Sequence, residues 1–267
     1  MYFLHFIWLS KNRCPWEIIN TWGPNPGDRY NIIVWRDHVE DSARETDIKI
    51  LGEFTNKHLM DCTPKFNQKS DILRLEILYR YGGVYMDCDI IRLSNLCPLA
   101  VFTQHENKHN FYISWEKKNC ISNSCICVTN RYNAVIKHLI DGLTHMELSD
   151  SKGWKSVCET TGPKYITKQL KIYNYSQELV NPYYYVNFGI DFSKQFIDSD
   201  FKITEGMSVV KKNKDLQYKF LMNKILGIQL WFGGKKITYN KLNQLHIDCA
   251  YKNAETYIQY ITKIKDS

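Results

Sequence analysis

The amino-acid sequence predicts an α/β domain with a largely parallel sheet flanked by helices. Over the first ninety residues, short runs rich in β-branched and aromatic residues alternate with helical patterns. The strongest helical pattern, residues 70–81, ends at Gly82-Gly83, and a short apolar strand over residues 84–86 follows at once. A strand–helix–strand succession of this kind is typical of a sheet with parallel strands.

The other elements of the first half are predicted from apolar runs and turn-forming residues. Pro15 lies in the first turn of a short helical pattern, where the missing N–H of proline costs nothing. A cluster of Gly, Pro, Asn and Asp over residues 23–28 predicts a turn. In chain order, the predicted elements are a strand over 2–8, a helix over 15–22, a strand over 30–35, and weaker helices over 40–47 and 54–60.

The helix over residues 70–81 carries apolar side chains along two stripes, so we expect it to be buried around most of its circumference. Ser70 is predicted to be its N-cap. The second half of the chain is less regular. Its predicted elements are a strand over 110–115, an amphipathic helix over 131–145, strands over 183–186 and 228–232, and a closing helix over 254–265.

The composition is that of a folded chain large enough for one domain. Of the 267 residues, 44% are hydrophobic, which excludes intrinsic disorder, and no Gly/Pro period suggests a fibrous protein. No apolar stretch approaches the roughly 20 residues that a bilayer span requires. The first residues lack the basic region and cleavage site of a signal peptide. We therefore expect a cytoplasmic protein whose association with membranes, if any, is peripheral.

The charge and the cysteines exclude further classes. Lys and Arg number 35 against 28 Asp and Glu, an excess that suits an anionic small ligand or an acidic membrane surface. Because the chain has no compact Lys/Arg run, we expect no nucleic-acid partner. The nine cysteines are odd in number and scattered, which is typical of reduced thiols rather than of a disulfide framework or a zinc site.

The segment over residues 70–89 contains most of the candidate chemistry. Asp71 and Arg74 lie three residues apart on the predicted helix and therefore share a face. Asp87 and Asp89 are separated by one residue, and on an extended segment their carboxylates would point the same way. Carboxylate oxygens of this kind suit Mg²⁺ or Mn²⁺ together with the phosphates of a substrate.

Each part of this segment has a structural alternative. An isolated Asp-x-Asp is usually a solvated turn, and the Asp71–Arg74 pair alone would be an ion pair at a helix end. The Gly-Gly pair alone would be a C-cap. All three features occur in order within twenty residues, around a buried helix and strand, and this combination favours a functional interpretation.

This run resembles the Asp-Ile-Leu-Arg…Gly-Gly-x-Tyr-x-Asp-x-Asp motif of glycosyltransferases that contain the DXD sugar-binding region. That group includes glycosyltransferase family 32, with its initiating α-1,6-mannosyltransferases, and capsular polysaccharide transferases. Residues 4–9, Leu-His-Phe-Ile-Trp-Leu, are similar to the first strand of the family. The resemblance implies a GT-A fold with a Rossmann-like mixed sheet. It also implies a single catalytic domain over residues 1–267, with the donor and metal half at 1–95 and the acceptor half at 96–267.

The resemblance implies a UDP- or GDP-sugar donor and assigns residues to it. Trp8 corresponds to the aromatic residue that stacks on the donor base, although the core is its structural alternative. Asp71 and Arg74 correspond to the pair that holds the donor-sugar hydroxyls and the phosphate region. Tyr85 corresponds to a tyrosine near the phosphates, and packing against the sheet is its alternative.

The resemblance also implies a divalent metal, Mn²⁺ or Mg²⁺. Asp87 corresponds to the carboxylate near the ribose and the metal, and Asp89 corresponds to the direct metal ligand. The predicted catalytic residues are thus Asp71, Arg74, Asp87 and Asp89.

Weaker similarities follow in the second half. Asn123 lies where the family has an Asn-rich stretch near the acceptor, and Thr161-Gly162-Pro163 resembles a turn that lines the donor or acceptor pocket. Both also have purely structural interpretations. The family's C-terminal His-x-x-x-x-Ser-Trp element is altered here, because Gln229 replaces the histidine and Gly234-Lys235 replaces the Ser-Trp pair.

The sequence therefore predicts metal-dependent transfer of a hexose from a nucleotide-diphosphate sugar to a hydroxyl of a glycan or glycolipid, with retention of configuration. Arg74 and the metal would stabilise the departing diphosphate while Asp71 orients the sugar. Two alternatives stay open. A different nucleotide-sugar or sugar-phosphate transferase would use a similar site, and the altered C-terminal element is compatible with a degenerate glycan-binding protein.

Overall fold

A five-stranded mixed sheet organises the larger part of the described chain. The computed structural model describes residues 2–10, 12–23, 29–36, 54–92, 97, 109–117, 120–146, 148, 154–173 and 227–229. The sheet strands are β1 (Tyr2–Trp8), β2 (Tyr30–Arg36), β3 (Gly83–Met86), β5 (Phe111–Lys117) and β6 (Cys120–Val128), in the spatial order β2-β1-β3-β6-β5. Strand β4 (Ile90–Arg92) pairs antiparallel with β7 (Gly227–Gln229) in a second, two-stranded sheet.

The large sheet is parallel on one side and antiparallel on the other. Strand β1 runs parallel to both β2 and β3, as the strand–helix–strand pattern predicts. Strand β6 runs antiparallel to β3 and to β5, so the sheet is mixed rather than largely parallel. The predicted α/β class with a Rossmann-like mixed sheet is confirmed.

The described residues form six α-helices, and the last five belong to the same compact unit as this sheet. The helices are α1 (Trp16–Ile19), which continues as a 3-10 turn over Asn20–Trp22, α2 (Lys57–Cys62), α3 (Phe66–Tyr81), α4 (Ala134–Thr144), α5 (Trp154–Thr160) and α6 (Pro163–Ile172). The helix predicted over 15–22 is confirmed, and the weak pattern over 54–60 corresponds to α2. The predicted elements over 40–47, 183–186 and 254–265 lie outside the described residues, and of the strand over 228–232 only its start is described. No helix within the described ranges has both the length and the apolar character needed to cross a membrane.

Helix α3 is buried on nearly all sides, and it begins earlier than the sequence pattern indicates. Residues 71–78 are all buried, as predicted. The helix starts at Phe66, with Lys65 in the N-cap position, so the prediction that Ser70 is the N-cap is wrong. The apolar pattern does not predict the first turn because residues 66–70 are mostly polar.

Two glycines connect α3 to β3. Gly82 ends the helix with a φ of 65°, and Gly83 follows with a φ of 93°. A Cβ at Gly83 would lie 2.3 Å from the carbonyl oxygen of Phe3 in β1, so only glycine fits this crossing. The Gly-Gly pair therefore sets the direction in which β3 leaves the helix.

His5 holds this connection from the neighbouring strand. Its Nδ1 accepts a hydrogen bond from Trp35 Nε1 at 3.2 Å, so the Nε2–H donates to the carbonyl oxygen of Gly82 at 2.9 Å. Burial lowers the pKa of His5 to about 4, and the neutral ring can fill both roles. The side chain thus ties β1 and β2 to the turn that leads into β3.

The chain divides into two compact units. The first contains residues 1–11, 24–87 and 97–182, with the five-stranded sheet. Its core lies where α3, α4 and α6 pack near the sheet, and includes Ile72, Leu75, Ile126, Leu139 and Ile166. The second unit contains residues 12–23, 88–96 and 183–267, with the two-stranded sheet. The boundary falls between Asp87 and Cys88. The predicted donor and acceptor halves stay a prediction.

Candidate active site

The carboxylate of Asp71 contacts three polar side chains of the first unit. It lies on α3, is 6% exposed, forms an ion pair with one side chain and accepts hydrogen bonds from two others. Arg74 Nη2 lies 2.9 Å from Oδ1, and Asn123 Nδ2 donates to the same oxygen at 2.8 Å. Thr161 Oγ1 donates to Oδ2 at 2.9 Å. A turn of α3, strand β6 and the turn between α5 and α6 therefore meet at one carboxylate.

Opposing effects set the pKa of Asp71. Burial, with a smaller contribution from the charge of Asp87, raises the pKa of Asp71 to about 6. The Arg74 guanidinium and the hydrogen bonds from Thr161 and Asn123 lower this pKa and so offset part of the cost of burial. Because the pKa stays below 7, the carboxylate is mostly ionised at neutral pH.

Arg74 is held in one orientation by contacts on all sides. Its Nε donates to the backbone oxygen of Ser70 at 3.2 Å, and Nη2 donates to the Ser70 hydroxyl at 3.2 Å. Its Nη1 donates to the backbone oxygen of Asn123 at 2.5 Å and lies 3.3 Å from Oδ1 of Asp87. The guanidinium also stacks over the ring of Tyr85, 4.4 Å from its centroid. A planar guanidinium can satisfy this set of partners, whereas an ammonium cannot.

Asp87 is the exposed end of this network. It follows the last residue of β3, and its backbone N–H donates to the Ser124 oxygen at 2.8 Å. The Tyr85 hydroxyl donates to Oδ1 at 2.6 Å. Its side chain is 27% exposed, whereas those of Arg74 and Asp71 are 5% and 7% exposed. Asp87 is therefore the most exposed of these three charged side chains, and its contact with a ligand stays a prediction.

The network lies at the carboxyl edge of the parallel strands. Asp87 follows the end of β3, and Trp8 is the last residue of the adjacent strand β1. Ligands of open α/β sheets bind outside this edge. Trp8 is only 7% exposed, as a core tryptophan would be, so its stacking on a donor base stays a prediction.

Asp89 belongs to the second unit. It is 7% exposed, and its Oδ1 accepts a hydrogen bond of 3.2 Å from Nε2 of Gln229 in β7. The expectation that Asp87 and Asp89 lie on an extended segment is wrong, because β3 ends at Met86 and residues 88–89 form a turn. Their binding of one cation stays a prediction.

Both carboxylates fit a divalent cation in their chemistry, since hard oxygen donors are what Mg²⁺ and Mn²⁺ prefer. Within the described ranges, no cluster of three or more His, Cys, Asp and Glu side chains forms a cage for a metal ion. Magnesium is commonly held by one or two carboxylates together with substrate phosphates, so two protein ligands suit such a site.

The structure brings four of the predicted residues together and adds three that were assigned otherwise. Asn123 and Thr161 were expected near the acceptor or in a pocket wall, and Ser70 was expected to cap the helix. All three contact Asp71 or Arg74. The placement of Asn123 and Thr161 beside an acceptor or donor pocket stays a prediction. A signal for Asn123 exists in the sequence, because Ser122-Asn123-Ser124 interrupts an otherwise apolar strand. The four predicted residues in the network are Asp71, Arg74, Tyr85 and Asp87.

Comparison with known sequences identifies the kind of region that carries this network. Residues 16–110 match the model of a family described as a glycosyltransferase sugar-binding region containing DXD motif. The match includes all four predicted catalytic residues and excludes Trp8. The chain carries a glycosyltransferase-like sugar-binding region.

One curated relative is the "Subversion of eukaryotic traffic protein A" of Legionella pneumophila. It is 27% identical over 212 residues, a match that covers 63% of this chain and 31% of the relative. The chain thus corresponds to about a third of that protein's length.

The chain is also similar to solved structures. The PaToxG glycosyltransferase is similar with a TM-score of 0.46 at 17% identity, over 97% of this chain and 86% of the other. The WbbM bifunctional glycosyltransferase is similar with a TM-score of 0.50 at 10% identity, over 98% of this chain and 51% of the other. The likeness to WbbM agrees with the GT-A type of fold that the sequence predicts.

Proposed function

We propose that the protein is a metal-dependent hexosyltransferase, related to glycosyltransferase family 32. It would move a hexose from a UDP- or GDP-sugar to a hydroxyl of a glycan or glycolipid, with retention of configuration. The observation that carries the proposal is the network in which Arg74 contacts both buried Asp71 and the more exposed Asp87. A purely structural ion pair has no need of a second carboxylate that faces solvent.

Asp71 is suited to orient the donor sugar. A carboxylate has about four acceptor positions, and among the described residues three side chains approach this one, two at Oδ1 and one at Oδ2. The position left at Oδ2 would accept a hydrogen bond from a sugar hydroxyl. Its deep burial suits this positioning role better than attack on the anomeric carbon. A front-face reaction, in which the donor phosphate helps deprotonate the acceptor, needs no protein nucleophile.

Arg74 would stabilise the charge that develops as the diphosphate departs. Its guanidinium is fixed by Ser70, Asn123 and the Tyr85 ring, so it need not reorganise during the reaction. The Tyr85 hydroxyl would orient Asp87 toward the ribose and the cation. Trp8 would contribute a stacking surface for the base at the end of β1.

The carboxylates of Asp87 and Asp89 would hold Mn²⁺ or Mg²⁺. A bound cation supplies Lewis-acid stabilisation of the leaving diphosphate. Each residue would then have one role. The two carboxylates would bind the cation that contacts the phosphates, Arg74 would neutralise charge on the leaving diphosphate, and Asp71 would position the sugar.

The proposal is tested by incubating the protein with a panel of UDP- and GDP-sugars, with and without Mn²⁺, and measuring release of free UDP or GDP. We expect the wild type to hydrolyse at least one donor, and we expect EDTA to abolish this activity. Asp89→Ala should lack the activity, while its melting temperature stays near that of the wild type. Release of a sugar phosphate in place of a nucleoside diphosphate would indicate a different transferase. Glycan binding without turnover of any donor would contradict an enzyme.

A further inference from the structure

Gln229 lies against Asp89 although 140 residues separate them in the sequence. The Nε2 of Gln229 donates to Oδ1 of Asp89 at 3.2 Å. Gln229 is 3% exposed and Asp89 is 7% exposed, so the contact is buried. A buried hydrogen bond to a carboxylate is shielded from competing water, and it restricts rotation of the carboxylate.

The backbone around this contact is held closely. Gln229 is paired with Ile90, the residue after Asp89, in the antiparallel register of β4 and β7. A Cβ at Gly227 would lie 2.6 Å from the carbonyl oxygen of Ile91, so the two strands approach as only glycine permits. Trp22 Nε1 also donates to the oxygen of Ile90 at 2.7 Å. The position of the Gln229 amide relative to Asp89 is therefore set by strand pairing.

The chemistry of an amide suits a carboxylate that has to bind a cation. Lysine or arginine at this position would neutralise Asp89 and compete with the cation for its oxygens. A neutral amide orients the carboxylate and leaves its negative charge in place. Hydrogen-bonded partners of metal ligands typically set metal affinity by about 10- to 100-fold.

We propose that Gln229 is a positioning residue for Asp89, whose side-chain amide orients the carboxylate for a divalent cation. This inference rests on the proposed function, since it takes Asp89 to be a metal ligand. It gives the altered C-terminal element a role: the residue that replaces the expected histidine acts through Asp89.

The test is titration of the full chain with Mn²⁺ alone, with the free ion followed by electron paramagnetic resonance. Gln229→Met keeps the length of the side chain and removes the donor. We expect it to weaken Mn²⁺ binding by about 10- to 100-fold. Gln229→His retains an N–H donor at a similar reach, and we expect it to bind Mn²⁺ more tightly than Gln229→Met.

A matched control removes the partly buried hydrogen bonds of another side chain of the same unit. The Thr21 hydroxyl donates to the Ile18 oxygen and accepts from the Arg92 N–H. Thr21→Val should lower the melting temperature and leave Mn²⁺ affinity unchanged, because Thr21 does not contact Asp89 in the described structure. Equal loss of Mn²⁺ affinity in Thr21→Val and Gln229→Met would overturn the inference, since it would reflect general destabilisation.

The outcomes separate the inference from the proposed function. Unchanged Mn²⁺ affinity in Gln229→Met, with a wild type that binds Mn²⁺ through Asp89, would overturn the positioning role alone. Wild-type protein that binds no more Mn²⁺ than Asp89→Ala would overturn both. If Gln229→Met does not fold, Gln229→His decides the question, because loss of binding in a folded histidine variant contradicts positioning by a donated N–H.

Discussion

Helix α3 carries two buried carboxylates, Asp71 and Glu76, in different surroundings. Asp71 is 6% exposed and Glu76 is 1% exposed, and burial raises the pKa of each. Glu76 accepts hydrogen bonds from the backbone N–H groups of Thr55 and Asn56, in the turn before α2. Asp71 instead forms an ion pair with Arg74 on α3 and accepts hydrogen bonds from side chains of β6 and the α5–α6 turn.

Burial and a raised pKa are common to both carboxylates, so these two properties do not indicate which one acts on a ligand. The hydrogen bonds around Glu76 involve backbone groups. Its partner Asn56 donates in turn from Nδ2 to the backbone oxygen of Ile140 in α4. Asp71 is joined through Arg74 to Asp87, whose side chain is more exposed. A buried charge connected to an exposed one is placed to act on a ligand, whereas a buried charge on backbone amides stabilises a turn.

The largest difference is expected between Asp71→Asn and Glu76→Gln, which each exchange a carboxylate for an amide of the same size. Asp71→Asn should lower sugar transfer at least about 100-fold, or ~2.7 kcal/mol in the barrier, because the sugar loses a charged acceptor and Arg74 loses a partner. Glu76→Gln should stay within about threefold of the wild type, since its amide oxygen still accepts from the backbone. Turnover of both variants with the same donor measures the difference.

Melting curves of these two variants supply the control. Both should unfold cooperatively, and Asp71→Asn should still bind free nucleoside diphosphate. Equal losses of transfer in the two variants would contradict the comparison, because they would show that transfer depends on α3 as a whole.

The second difference concerns the cations beside these carboxylates. Arg74→Lys keeps the charge and loses the planar fork that reaches Ser70, Asn123 and Asp87, so transfer should fall by about two orders of magnitude. Arg80 is the corresponding cation near Glu76, where its charge lowers the pKa of that carboxyl. Arg80→Lys should leave turnover near the wild-type value. A large loss in Arg80→Lys, measured as kcat/KM, would assign function to the Glu76 side as well.

Much of the first unit is predictable from local sequence. The strands β1 and β2 follow from apolar runs, and Gly82-Gly83 marks the end of α3 because few other residues adopt its positive φ values. The Asp71–Arg74 contact follows from helical spacing, and its 2.9 Å distance confirms that the two side chains meet. Their roles in transfer stay predictions.

The remaining contacts depend on packing between segments far apart in the chain. Asn123 and Thr161 lie 52 and 90 residues from Asp71, and they reach it only because β6 and the α5–α6 turn pack beside α3. The antiparallel placement of β6 has the same origin. Glu76 is also hidden from sequence reasoning, since its partners are backbone groups that any residue carries.

A smaller effect is expected when one of the partners of Asp71 is removed. The Thr161 hydrogen bond lowers the pKa of Asp71, so Thr161→Val should raise it above about 6. At pH 6 more of the carboxyl is then protonated, and the acid limb of the transfer profile should move to higher pH. The loss at pH 6 should be less than about tenfold, with recovery by pH 8.

Thr160 offers the matched control, because its hydroxyl donates to the Ser156 oxygen and accepts from Gln68. Thr160→Val should leave the acid limb unchanged. A Thr161→Val profile that is lowered equally at every pH would indicate a lost structural contact in place of a shifted pKa.

The smallest expected effect is on stability, and here the two carboxylates should behave alike. Because burial raises the pKa of Glu76 above 4.5, the native chain holds this proton more tightly than the unfolded chain does. Wild-type stability therefore falls as the pH rises from 4.5 through the raised pKa, and Glu76→Gln lacks this loss. The melting temperature of Glu76→Gln minus that of the wild type should grow across this window and then level off.

Asp71→Asn should show the same sign between pH 3.8 and about 6, the ordinary and the raised pKa of Asp71. The two variants would then agree in the pH dependence of stability while differing in transfer by about 100-fold. Agreement of that kind would show that burial destabilises the ionised form of both carboxylates in a similar way, while only Asp71 contributes to transfer. A stability difference that shrinks with rising pH for Glu76→Gln would mean that its backbone amides stabilise the ionised form, which separates the two sites in stability as well.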